Sequence, residues 1–301
     1  MLKLNFYFWI VVSLTIFQSC YISKSLERDA PSIFSIKQYT LDQLQENPKF
    51  EVSILANGKH SGNSIELVIK SLNKKDIELI IPAGTVFYTS DEGDQILIVV
   101  VEQLLVITKA RTKKKTIDGF CTEASDGVPG SDMTMAFMPT KREQLQDLAN
   151  FINENNGFSD HEIQEAVWCI SDKHSIANIY SPDRKKTLKL TRFVADLTGQ
   201  EVTWHTIKRN HSVVDGFIQV NPILVTGQVD FSTSKKTTLK SKIIDNEGNL
   251  VFENTQTINV PKVDNVKLDF NLSVTGWEKG TYFVVYSDQD EKIVLKKVFE
   301  I

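Results

Sequence analysis

The residues best equipped for chemistry in this chain are few, and cysteine heads them. Three occur in 301 residues: Cys20, Cys121 and Cys169. That number cannot knit a disulfide scaffold, but two thiols outside the cytoplasm can pair. A Cys121–Cys169 bridge would close a loop of about 48 residues and add roughly 3–4 kcal/mol in a chain-entropy picture. The alternative leaves both as buried free thiols. Cys169-x4-His174, with His161 and Asp172 nearby, offers zinc-type donors at a spacing that matches no common site. His161 is explained more simply as part of a helix first turn, and His60, His205 and His211 are scattered singly. Asp245 and Glu247 beside Gly248 suggest a calcium loop, yet a hairpin turn accounts for them fully. The chain has no Ser-His-Asp order, P-loop, GxGxxG or HExxH, and no carboxylate pair that can be placed for glycoside hydrolysis. The expectation is therefore no enzyme, no catalytic residue, no metal and no cofactor.

These residues need elements to hold them. From Phe50 the chain alternates as strands do: Phe50–Leu55, Ser64–Lys70, Asp76–Ile81, then the apolar run Gln95–Val101 and Leu104–Thr108. Close spacing of five or six strands predicts an antiparallel sandwich or barrel. The period then shifts to helical. Thr140-x-x-Glu143 and Ser159-x-x-Glu162 read as capping boxes, and a third helix is expected between Pro182 and Gly199. Lys109–Lys115 is strongly basic and reads as a solvated hairpin between strands. Past residue 213 the pattern is strand-only to the end, with a turn at Asp245–Asn249. The fold class is thus α+β: an antiparallel sandwich or barrel, about three helices, and a C-terminal all-β Ig-like sandwich. The domains divide at 1–19, 20–36, 37–212 and 213–301.

The first residues set the compartment. Lys3 precedes an apolar stretch, Phe6–Phe17, of signal-peptide length and too short for a stable span, which needs about 20 residues. Phe17-Gln-Ser-Cys20 resembles a bacterial lipoprotein box, in which the cysteine is acylated and becomes the mature N-terminus. That resemblance implies lipidation of Cys20, a membrane held through the N-terminal lipid, and a cell-envelope location, at the outer membrane or cell surface. Residues 21–36 lack any period and read as a tether.

Gly119-Phe-Cys121 together with Gln164-Glu-Ala-Val-Trp168 resembles the thioester domains of bacterial surface adhesins. There a cysteine after an aromatic residue bonds covalently to the glutamine of a Thr-Gln-x-Ala-hydrophobic-Trp helix; here Ile163 stands at the Thr position. The resemblance implies a Cys121–Gln164 thioester, with Phe120 and Trp168 as its shield, able to acylate a partner amine. Cys121 thereby has three possible states: disulfide, thiol or thioester. Ile81–Phe87, Gly119–Cys121 and Gln164–Asp172 also look like a family of uncharacterised bacterial exported proteins. At the other end, Gly280-Thr-Tyr-Phe-Val284, Lys296-Lys-Val298 and Ile301 resemble the C-terminal sorting domain of the type IX secretion system, as well as bacterial surface Ig-like modules.

Composition agrees with an ordinary globular chain. It is 41% hydrophobic, with 34 basic against 38 acidic residues and a net charge of −4, which leaves no broad cationic field for nucleic acid. The function expected is a non-enzymatic cell-envelope lipoprotein that binds a surface protein or polysaccharide, with a covalent thioester adhesin as the alternative.

Overall fold

A computed structural model describes residues 36–261 and 263–301. The expected signal peptide, Cys20 and nearly all of the tether lie outside the described residues. The described part opens with β1 (Lys37–Tyr39) and α1 (Leu41–Gln45), whose capping box pairs Thr40 with Gln43. Next come β2 (Phe50–Ala56), β3 (Asn63–Ser71), β4 (Ile77–Ile81), β5 (Thr85–Tyr88) and β6 (Leu97–Ile98). They are followed by β7 (Gln103–Ile107), β8 (Thr112–Asp118), β9 (Phe120–Cys121) and β10 (Ala136–Pro139). Three small open sheets result, in the orders β1-β4-β7, β2-β3-β8 and β10-β5-β6-β9. The barrel option therefore falls away. Pairing is antiparallel except between β1 and β4.

Two strand expectations change in an informative way. Leu97–Val100 is as buried as the apolar run predicts, but only Leu97 and Ile98 join a ladder. Beyond them Val99 N–H turns to Thr85 O and Val99 O accepts from Gly84 N–H, so the chain follows the turn before β5. The basic run does not form a hairpin, because β7 pairs with β4 and β8 with β3, in different sheets. Lys113–Lys115 lie within β8, exposed, and Lys114 reaches Glu66 on the neighbouring β3 at 2.7 Å.

Three longer helices follow: α2 (Glu143–Glu154), α3 (Asp160–Ser171) and α4 (Arg184–Thr198). The capping box at Ser159 forms, with Ser159 Oγ accepting from Glu162 N–H and Glu162 Oε2 accepting from Ser159 N–H. The one at Thr140 does not. Thr140 N–H is still tied to Gly84 O at 2.8 Å, so the helix starts only at Glu143 and Thr140 Oγ1 accepts from Arg142 N–H instead. α4 ends as expected on Gly199, whose φ of 70° is the left-handed conformation a side chain would resist.

The C-terminal part comprises β11 (His205–Val214), β12 (Phe217–Thr233), β13 (Thr237–Asp245), β14 (Leu250–Val260), β15 (Val263–Ser273), β16 (Thr281–Ser287) and β17 (Ile293–Glu300). Sheets β11-β12-β15 and β14-β13-β16-β17 form an Ig-like sandwich over Val225, Val229, Leu239, Ile243, Phe270, Val284 and Phe299. The β11–β12 hairpin runs across the division at 212/213, in register from His205↔Gly227 to Val214↔Phe217. That long hairpin carries Arg209 and His211 back toward the helices.

Candidate functional site

The site is built on α3. Its capping box fixes the start, Asp160 and Glu162 complement the positive end of the helix dipole, and Glu162 Oε1 accepts from Thr187 Oγ1 on α4. Every residue from Glu162 to Ile170 is buried. At helical spacing, His161, Gln164, Glu165 and Trp168 fall on one stripe. Three segments face it: β9 with Cys121, the β2–β3 loop with His60, and β11 with Arg209 and His211.

Gln164 and Cys121 are brought together. Gln164 Oε1 accepts from Cys121 N–H at 3.1 Å, and Gln164 Nε2 donates to Cys121 O at 2.8 Å. A carboxamide thus docks on the strand edge as another strand would. Both residues are 0% exposed, as is Trp168. Gly119 lets the chain enter β9 pressed close against β3, since a Cβ there would lie 2.7 Å from Ser64 Oγ and 2.8 Å from Ile65 Cδ1.

The Cys121–Cys169 bridge is absent: both are free, buried thiols. Strand alternation and helix rotation explain why. Cys121 and Trp168 belong to the cluster beneath the sheets with Ile65, Leu67 and Leu97, whereas Phe120 and Cys169 turn into the other cluster among the helices. Cys169 Sγ there donates to Ser175 O. Of the two residues expected to shield Cys121, Trp168 shares its cluster and Phe120 faces the opposite way. Burial pushes both thiols well above their ordinary range, so neither is a ready nucleophile.

Beside this pair lies a cluster that sequence spacing did not reveal. Glu165 is 0% exposed, and its Oε1 accepts from His211 Nε2 at 2.8 Å. Its Oε2 faces His174 Nδ1 at 3.9 Å, an ion-pair rather than a hydrogen-bond separation. Burial raises the Glu165 carboxyl, but His174, His211 and His161 together outweigh it and hold the group below the usual carboxylate range. The rings of His161 and His211 lie 4.9 Å apart, His60 stacks over Trp168 at 6.3 Å, and Trp168 sits 5.2 Å from His211. Burial, then the neighbouring His211, draws His60 down to about 4. Four of the chain's five histidines therefore surround one glutamate and one tryptophan.

This set differs from the donors the sequence offered. Asp172 instead terminates α3 and accepts from Ser171 Oγ, and Cys169 faces Ser175. Asp245 is likewise spoken for: its carboxylate accepts from the N–H groups of Glu247 and Asn249 and from Asn249 Nδ2, as a hairpin turn requires. A stripe of His-x2-Gln-Glu-x2-Trp on α3 was the available signal for the cluster; Glu165 went unread because it stood as the unspecified position of the Gln-x-Ala motif.

From the cluster, His174 opens onto a cleft of about 460 Å³ lined also by Ser125, Asn178, Arg209, Lys279 and Glu300. Arg209 Nε donates to Asn178 Oδ1 at 2.8 Å, which fixes the guanidinium in the wall.

Residues 220–300 match the family model described as "Secretion system C-terminal sorting domain". The match covers most of the sandwich, including the terminal β16–β17 hairpin in which Gly280 and Ile301 exchange both backbone hydrogen bonds at 3.1 Å. A tail of this kind marks a secreted or cell-surface protein. No curated protein sequence matches the chain. Among solved structures, a β-glucosidase from Kluyveromyces marxianus aligns over 79% of this chain and 44% of its own at 9% identity and a TM-score of 0.22. A red sea bream transglutaminase aligns over 85% and 31% at 8% identity and a TM-score of 0.20. The chain thus spans less than half the length of either, and likenesses this low carry no inference. Among the described residues, no helix is long and apolar enough to cross a membrane.

Proposed function

We propose that this chain is a non-enzymatic binding module of the cell envelope, anchored through a lipid on Cys20 and presenting its first region to a surface protein or polysaccharide. The sorting-domain match at 220–300 carries the reading, because it ties the chain to export and leaves the region before it as the cargo. Binding rather than catalysis is favoured by the burial of both thiols and by the character of the cleft. The cleft's Arg209, His174, Asn178 and Lys279 are suited to holding carboxylates or hydroxyls, with no activated nucleophile among them. Protease shaving of intact cells tests the placement: the full chain should be digested from outside, and a chain cut before residue 220 should stay protected. Equal protection of both would refute surface display.

One observation favours a second reading, a Cys121–Gln164 thioester. The carboxamide already lies against the cysteine residue under Trp168. Formation would join Sγ to Cδ, break Cδ–Nε2 and release ammonia with the thiol proton; a partner amine would later take the acyl group and return the thiol. Intact mass decides: a loss of about 17 Da, abolished in Cys121→Ala, is expected for the thioester, and the unshifted sequence mass excludes it.

A further inference from the structure

Buried polar atoms are rarely left without partners, and each orphan costs about 1–3 kcal/mol. Three of them converge here: His161 Nε2, Glu165 Oε2 and His174 Nδ1 are all buried and make no hydrogen bond. His161 and Glu165 are four apart on α3, so both point the same way, and His211 meets them from β11. One donor atom from each of His161, Glu165 and His211 falls within a set whose members all lie within 4.8 Å of one another.

We propose that His161, Glu165 and His211 bind one divalent first-row transition ion, with zinc best suited to the donors. Two imidazoles and one carboxylate are borderline ligands that suit zinc and its neighbours rather than calcium or magnesium. Tetrahedral bonds of about 2.1 Å place donors about 3.4 Å apart. Closing the set to that size draws inward donors that now lie up to 4.8 Å apart, with His211 Nε2 turning from Glu165 Oε1 to the ion. His174 Nδ1, 3.9 Å from Glu165 Oε2, is a candidate fourth donor. The carboxylate offsets one of the two charges brought in. A water in the same place could satisfy the orphan atoms, and it is the competing occupant. An ion would also clamp the β11–β12 hairpin to α3, joining the sandwich to the region before it. This inference does not depend on the ligand proposed for the cleft.

The test uses the full chain stripped with chelator, reloaded with Zn²⁺ and desalted, with metal counted by mass spectrometry. One zinc per chain is expected. Competition against a chromophoric chelator should show affinity falling on the order of 100-fold or more in His161→Ala and in His211→Ala, and unchanged in His205→Gln. Cobalt substitution of the unmutated chain guards against misfolded variants: its spectrum should show nitrogen and oxygen ligation without a sulfur charge-transfer band. Less than a tenth of an equivalent of zinc, an affinity insensitive to both alanine variants, or a sulfur band would overturn the proposal.

Discussion

The two parts of this molecule bury different things. Before residue 205 the interior takes in Gln95, Thr122, Glu162, Gln164, Glu165, Asn178, Thr187 and Thr191 among its polar side chains; from there to the end, the only buried polar side chain among those described is His205. The sandwich is closed by Phe270, Tyr282 and Phe299 packed ring against ring, at centroid distances of 5.7 and 6.1 Å. A structure needed only to fold and be recognised can rest on apolar contacts, which carry no desolvation cost. Polar groups gathered in an interior cost stability unless partnered, and they are concentrated where a function would use them. The difference fits the proposal of a working centre on α3, while the sandwich is the part that matches the sorting-domain model over residues 220–300.

Substitutions can break or sharpen that contrast. The largest effect is expected from Trp168→Ala and Phe299→Ala, each of which should lower unfolding free energy by about 3–5 kcal/mol in urea titration. Only the tryptophan change should also disturb His60, His174 and His211, since Phe299 packs against His205 instead. Glu165→Ala should cost about 2–3 kcal/mol by leaving the buried His211 Nε2–H without its acceptor, and no sandwich carboxylate should match it. Gln164→Ala, which orphans a buried carbonyl and weakens a buried amide at Cys121, should cost about 2–3 kcal/mol. Gly227→Ala should cost about 1–3 kcal/mol, since the new Cβ would meet Trp204 O at 2.8 Å. Smallest of all, Lys70→Ala removes an exposed pair with Glu51 and should change stability by no more than about 0.5 kcal/mol.

Acid should act on both parts, in two stages. His60 and His205 are drawn by burial from 6.5 to about 4, so the stability they contribute is whole above 6.5 and is lost as pH falls toward 4. Glu165, depressed from 4.5, contributes fully above 4.5 and loses that contribution below it. Denaturant melts across pH should therefore show a shallower loss below pH 4.5 in Glu165→Gln than in the parent chain.

What could be read from residues alone follows the same contrast. The sandwich was legible because alternation, turn chemistry and the Gly280–Val284 and Lys296–Val298 elements are local signals. The juxtaposition of Cys121 and Gln164 was reached only through a resemblance, and the structure supplies the hydrogen bonds rather than a covalent link. The missing disulfide was a matter of direction: neighbours in a strand or a helix face different cores, which a cysteine count does not convey. The histidine cluster was hidden for another reason. His60, His174 and His211 come from two loops and a distant strand, and only α3 and the long β11–β12 hairpin bring them to Glu165.

The direct measurement is a side-chain nitrogen–proton spectrum of histidine-labelled protein, recorded for the parent chain and for Glu165→Gln. The account predicts that the signals of His60, His161, His174 and His211 move together while His205 stays in place. Four signals unmoved by the substitution, or a shift at His205 as large as theirs, would contradict a single centre built on Glu165.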